Sequence, residues 1–286
     1  MSRLNTEAYR QALHALVRQK KFIFAILISL LPLAAGWLMF FEDKYNAQDA
    51  DRGSDPEYSW NPGFTLLAGR VIITVAVPLM CLLLAGGLLA DEVEERTLSY
   101  LLVRPVPRTT LYGSRALAVL TVAAPLAVLQ VFGLWIIRWV SYGIYAETGA
   151  RVQVDATHSV TALSLLWTML PAVLGVALLA TLFYAMLFGM VSLVTTRYHF
   201  FLNLGYLGLW EGMLGHIPAG AQRLTATHHF ASLLENADQS AHLIFGALTT
   251  TPWLSIPLML ALAAVAVAAS LVIVKQRDFH VTSAAT

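Results

Sequence analysis

Charge is scarce in this sequence. Aspartate, glutamate, lysine and arginine make up 12% of its 286 residues, where a soluble domain carries about 25%. So little charge cannot keep a folded surface wet all round, which excludes an ordinary soluble domain. The net charge is only +1, too weak a field to point to nucleic acid. Cysteine is limited to Cys81, inside an apolar run. One thiol excludes an intramolecular disulfide and any multi-cysteine metal or redox site. Lysine is limited to Lys20, Lys21, Lys44 and Lys275, and none follows a glycine. A P-loop needs Gly-Lys to cradle phosphates, so the chain holds no such ATP site of its own. H-E-x-x-H and G-x-S-x-G are missing too, and with them the usual protease and hydrolase signatures. The chain is not expected to be an enzyme by itself. No catalytic residue, metal or bound cofactor is assigned to it.

Hydrophobic length is what the chain has instead. Hydrophobic residues reach 58% and the mean hydropathy is +0.67. About 20 apolar residues cross a bilayer. Six runs fit that role: 22–41, 64–90, 116–140, 160–194, 200–216 and 253–274. The expected fold is therefore all-α, a polytopic membrane protein with six transmembrane helices in a single domain, residues 1–286. Residues 1–21 predict an amphipathic interfacial helix ahead of the first span. Tyr9, Leu13, Leu16 and Val17 share one face, while Arg10, His14 and Arg18 share another, the pattern of a helix lying on a membrane surface. The run after it lacks a small-residue cleavage site, so it reads as a retained anchor.

Polar stretches join the runs. Residues 42–61 read as an acidic loop, 141–159 as a second polar loop, 217–252 as an outer segment and 275–286 as a tail. The run 160–194 is longer than a bilayer needs, so it is expected to extend beyond it or to break at Pro171. Pro32, Pro78, Pro125, Pro171 and Pro257 are expected to make packing kinks rather than hinges. Orientation follows from the bases. With both termini on one side, that side holds twelve of the eighteen lysines and arginines. Both termini and the 91–115 connector are therefore expected to be cytoplasmic.

That connector, between the second and third runs, is the densest charge in the chain. Asp91, Glu92, Glu94 and Glu95 come first, then Arg96, Arg104, Arg108 and Arg115. Acids early and bases late suit a helix macrodipole, and Pro105 and Pro107 would end such a helix. The string Glu-Glu-Arg-Thr-Leu-x-x-Leu-Leu-x-x-Pro-x-x-Arg, residues 94–108, is followed by Tyr112-Gly113-Ser114-Arg115. It resembles the signature of the ABC-2 type permeases, the membrane subunits of ATP-binding-cassette transporters. One departure is Arg96, where many members carry glycine.

The resemblance implies several things. The connector would dock on separate cytoplasmic ATPase subunits through Glu92, Glu94, Glu95, Arg96, Thr97, Leu98, Leu101, Leu102, Pro105 and Arg108. ATP and Mg would be held by that partner, not by this chain. The chain would work beside a second permease copy or a homologous permease, surrounded by lipid and without nucleic acid. The expected function is an ABC permease subunit, most simply an exporter, in a bacterial inner membrane. An ion-coupled secondary transporter and a non-transporting scaffold subunit are the alternative classes. The absence of a convincing internal repeat argues against the former. No residue names the substrate.

The fifth run carries two further features. Gly205, Gly208, Gly212 and Gly215 make a smooth stripe suited to close helix packing or to a contact between protomers. Among them stands Glu211, the one acid well inside an expected span. A carboxylate there is costly and marks a possible polar site. It could lie partly wet at the outer boundary, pair with Arg70 or Arg138, or line a substrate path. Beyond it, His216, His228, His229 and His242 match no zinc spacing. Short outer helices are the better reading. Thr227 is expected to cap residues 228–235, with Phe230, Leu233 and Leu234 facing the membrane boundary.

Overall fold

The computed structural model describes residues 3–51, 64–88, 107–147, 162–195, 198–214, 220–237 and 250–276. Every regular element among them is helical. In order they are α1 (Arg3–Arg18), α2 (Lys20–Ser29), α3 (Leu31–Asp51), α4 (Phe64–Leu67), a π-helical segment (Ala68–Ala76) and α5 (Val77–Ala85). Then come α6 (Arg108–Glu147), α7 (Ala162–Val194), α8 (His199–Gly205), a second π-helical segment (Tyr206–Met213), a 3-10 turn (Ala221–Leu224), α9 (Ala226–Ala237) and α10 (Pro252–Gln276).

Five stretches among the described residues are long and apolar enough to cross a membrane: Lys20–Glu42, Ala68–Ala85, Arg108–Gly143, Leu166–Val194 and Pro252–Gln276. Of the remaining expected run, 200–216, the described residues form α8 and the π-helical turns that follow it, shorter than these five.

α7 is the centre of the bundle. It is apolar on every side: most of it is buried in the bundle, while Trp167, Pro171, Gly175 and Leu178 are exposed along one face. α5, α6, α9 and α10 all pack on it. α10 turns one narrow stripe inward: Ser255, Met259, Ala263, Ala266, Ser270 and Val274. Its bulky residues, among them Trp253, Leu254 and Val265, point outward. Small residues inside and large ones outside is the pattern of helices in lipid, where close packing replaces a hydrophobic driving force. The contact of α3 with α6 shows how tight that packing is. A Cβ on Gly36 would stand 2.8 Å from Leu134 Cδ1. One on Gly133 would stand 3.1 Å from both Cγ and Cδ1 of Leu33. Each helix thus sets a leucine over the other's glycine.

The two π-helical segments have different local causes. Pro78 follows the first closely and has no N–H to offer the carbonyl of Thr74, so regular winding is interrupted there. The Thr74 hydroxyl instead bonds the carbonyl five residues back, Gly69 O, at 2.8 Å. The second segment contains no proline. Gly208 and Gly212 lie within it, and wide winding there costs little side-chain crowding.

Several boundaries differ from the sequence expectation. The helix expected to stop at 41 continues to Asp51, so residues 42–51 are not a loop. α6 starts immediately after Pro107 and runs to Glu147, taking in the last part of the connector and the start of the expected loop 141–159. Polar residues end an apolar run without ending a helix, because backbone hydrogen bonding does not depend on the bilayer. α7 passes Pro171 unbroken. α1 packs along α6, with the Tyr9 hydroxyl donating to Thr121 Oγ1 at 3.2 Å.

Candidate functional site

Glu211 lies on the second π-helical segment and is buried. Its carboxylate meets the N-terminus of α9. Oε1 accepts from the Tyr206 hydroxyl at 2.5 Å and from the Ala226 backbone N–H at 3.2 Å. Oε2 accepts from the Thr227 backbone N–H at 2.9 Å and from the Thr227 hydroxyl at 2.7 Å. Thr225, in extended conformation, supplies the local cap: its Oγ1 accepts from His228 N at 3.3 Å. The first turn of a helix has four N–H groups without intrahelical acceptors. Here Glu211 takes two of them and Thr225 a third. The negative charge also sits where the helix dipole is positive.

Winding explains why two residues of one segment reach this point together. In an α-helix each residue advances about 100°, so residues five apart face directions about 140° apart. Tyr206 and Glu211 are five apart, yet they hydrogen-bond to each other. The wider π turns bring them onto one face. The carboxylate's partners are hydroxyls and amides, not the guanidinium of Arg70 or Arg138.

α9 is driven well into the bundle. Ala226, His229, Phe230, Ala231, Ser232, Leu233, Leu234 and Glu235 are buried, against α7, α10 and the first π-helical segment. Phe230 has ring centroids 6.0 Å from Phe183 and 5.9 Å from Tyr184. The cap is therefore Thr225 rather than Thr227. Phe230, Leu233 and Leu234 face protein, not a membrane boundary.

A second polar clasp ties α9 to the start of α10. His229 Nε2 lies 2.9 Å from the Arg223 carbonyl, which can only accept, so Nε2 carries the proton. Nδ1 is then free to accept from the Ser255 hydroxyl, 3.2 Å away. Thr250 Oγ1 and Ser255 Oγ are 2.7 Å apart. The Thr250 amide donates to Ser232 Oγ at 3.3 Å, and Asn236 Nδ2 donates to Thr250 O at 2.9 Å. Burial holds the His229 imidazole below its usual range, opposed by the Arg223 carbonyl and the charge of Glu211. Among the described residues no cluster of three metal-ligating side chains occurs.

The other expected site residues fall as follows. Glu92, Glu94, Glu95, Arg96, Thr97, Leu98, Leu101, Leu102 and Pro105 lie outside the described residues. Arg108 is the first residue of α6 and is half-buried. At the same end of the bundle Arg115 NH1 donates to Leu88 O at 3.1 Å, tying the end of the second apolar run to the start of the third. Gly215 lies outside the described residues. A Cβ on Gly205 or Gly208 would meet nothing within 4 Å. On Gly212 it would meet only Leu207 O, at 3.4 Å. The stripe thus packs on no neighbouring helix within the described residues.

A family model described as ABC-2 family transporter protein matches residues 16–203. The matched stretch includes the 91–115 connector. No curated protein matches the chain. Because the family model covers well over half of the sequence, the chain belongs to the ABC-2 transporter family, as a membrane transport component.

Proposed function

We propose that the chain is the permease subunit of an ABC exporter. It crosses a bacterial inner membrane six times, with both termini in the cytoplasm. It works as a dimer with a second permease and two separate ATPase subunits, which hold ATP and Mg. One observation carries this reading: the Glu-Glu-Arg-Thr-Leu motif, residues 94–108, stands between the second and third apolar runs of a chain that belongs to this family. The strap from Arg115 to Leu88 supports it. A pull on the connector would reach both of its flanking helices as one body. ATP would close the ATPase dimer, carry residues 92–105 with it, and tilt the second and third spans between inward- and outward-open states.

Docking separates into two physical contributions. Leu98, Leu101 and Leu102 supply the apolar anchor that slows dissociation. Glu92, Glu94, Glu95 and Arg96 steer the encounter and set its register. Leu101→Ala with Leu102→Ala should release the ATPase during purification. Glu94→Lys with Glu95→Lys should give binding to a basic partner surface that worsens at low ionic strength, because salt screens repulsion. Insertion should be unchanged in both variants, since no span is altered. A complex that stays assembled in both, with ATP hydrolysis as sensitive to the permease as before, would refute this reading.

A further inference from the structure

Asn203 is fully buried on α8, where that helix packs against α5 and α7. Its side-chain amide lies over Gly86, the residue that ends α5. A Cβ placed there would stand 3.3 Å from Asn203 Nδ2. Neither Nδ2 nor Oδ1 has a hydrogen-bond partner among the described residues. Exchanging the two atoms would change nothing, since neither has a partner among the described residues. A buried amide without any bond is rare in a native protein.

The neighbour of this amide is a helix end. The Gly86 N–H bonds the Leu82 carbonyl, Leu88 N bonds Ala85 O at 3.2 Å, and Leu88 O is held by Arg115. The last carbonyls of a helix have no intrahelical donor. Asn203 brings two N–H donors to this end, at Gly86. The end of α5 is thus fastened to α6 on one side and only touches Asn203 on the other. Glycine at 86 lets the two approach.

We infer that Asn203 is a positioning residue of the transport cycle: its amide is idle in this state and hydrogen-bonds the carbonyl end of α5 in the other. A slide of that end along α8, by a fraction of a turn, makes the bond. The two arrangements are discrete, made or unmade, as a switching contact requires. The unmade bond raises the energy of this state and favours leaving it. This inference rests on the permease reading above, because the segment the ATPase would move begins where α5 ends.

The test uses the purified permease–ATPase complex in proteoliposomes, wild type against Asn203→Leu, a side chain of the same branched shape without polar atoms. Thermal unfolding of the nucleotide-free complex and the rate of Mg-ATP hydrolysis are both measured. The variant should unfold at the same temperature or higher, because it removes an unbonded amide. Hydrolysis by the assembled complex should fall about five- to tenfold, the population change that one lost hydrogen bond produces. Spin labels on Leu88→Cys and Leu202→Cys, with Cys81→Ala, should change separation on adding ATP in the wild-type background and not with Asn203→Leu. A lower unfolding temperature overturns the inference, since Asn203 would then be bonded in this state. So does hydrolysis at the wild-type rate in a complex that responds to the permease. Hydrolysis indifferent to the wild-type chain would overturn the ATPase reading itself, and this inference with it.

Discussion

The carboxylate of Glu211 and the backbone amide of Thr227 lie 2.9 Å apart, although 16 residues separate them in the chain. A tertiary contact thus does the work of a helix cap. It accounts for the acid in the fifth apolar run: the charge is met by two amides and two hydroxyls. Glu211→Gln keeps the shape but removes the charge and one acceptor, leaving buried donors short of partners. It should cost about 1–3 kcal/mol. Thr225→Ala removes only the local cap and should cost about 1 kcal/mol. Thermal unfolding in detergent would rank the two. Equal effects, or none from Glu211→Gln, would mean that the carboxylate does not hold α9.

Acidification should loosen the same helix. Burial holds His229 below its ordinary range. Burial, His229 and Arg223 do the same to His228. The charged and titratable groups facing them are Glu211, Arg223 and each other. In the unfolded segment an imidazole takes its proton near pH 6.5, while in the folded segment it does so lower. The unfolded state therefore binds more protons between those values, and stability falls as pH falls through that window. Above about pH 6.5 these two groups contribute no slope. Hydrogen exchange of residues 226–237, corrected for intrinsic rates, should show less protection at about pH 5.5 than at about pH 7.5. Protection that is unchanged, or greater in acid, contradicts the shift.

The sequence made the bundle legible and left the cap hidden, for physical reasons. Apolar length is written residue by residue, so five of the six expected runs could be read directly as helices long enough to cross a membrane. The limits of α3 and α6 could not, because Glu42 and Ser141 follow the ends of hydrophobic runs while the backbone goes on as helix to Asp51 and Glu147. Glu211 stood out as an acid among apolar residues, but its partners did not. Tyr206 and Glu211 are five apart, a spacing that shares no face in an α-helix, and nothing local announces π winding. Arg70 and Arg138 were the natural partners by charge; helix amides win because they are already fixed in place. Asn203 gave no signal at all, since an absent hydrogen bond exists only in three dimensions.

Topology is testable with the single native thiol in place, because Cys81 is buried. The proposed orientation, with both termini and the connector on the cytoplasmic side, rests on the excess of lysine and arginine in those segments. Cysteines at Ser2, Ser99 and Ser283 should be shielded in intact cells from an impermeant thiol reagent. Cysteines at Ser54 and Ser240 should react. Labelling at Ser99 without labelling at Ser54 would invert the protein.

The glycine stripe separates folding from assembly. At Gly208 an added side chain meets nothing within 4 Å, so Gly208→Leu should leave the unfolding temperature of the isolated protomer nearly unchanged. If a second permease packs on this stripe, the same leucine holds two backbones apart and weakens the dimer. Gly36→Leu makes the contrast, because Leu134 Cδ1 stands 2.8 Å from a Cβ there. Overpacking of that kind costs about 1–3 kcal/mol in the protomer itself. Cysteines on the Gly205 and Gly208 face should cross-link two copies of an otherwise wild-type chain, and Gly208→Leu should abolish the cross-link. A protomer destabilised as much by Gly208→Leu as by Gly36→Leu would place the stripe inside the fold. An intact protomer that never cross-links would place it against lipid.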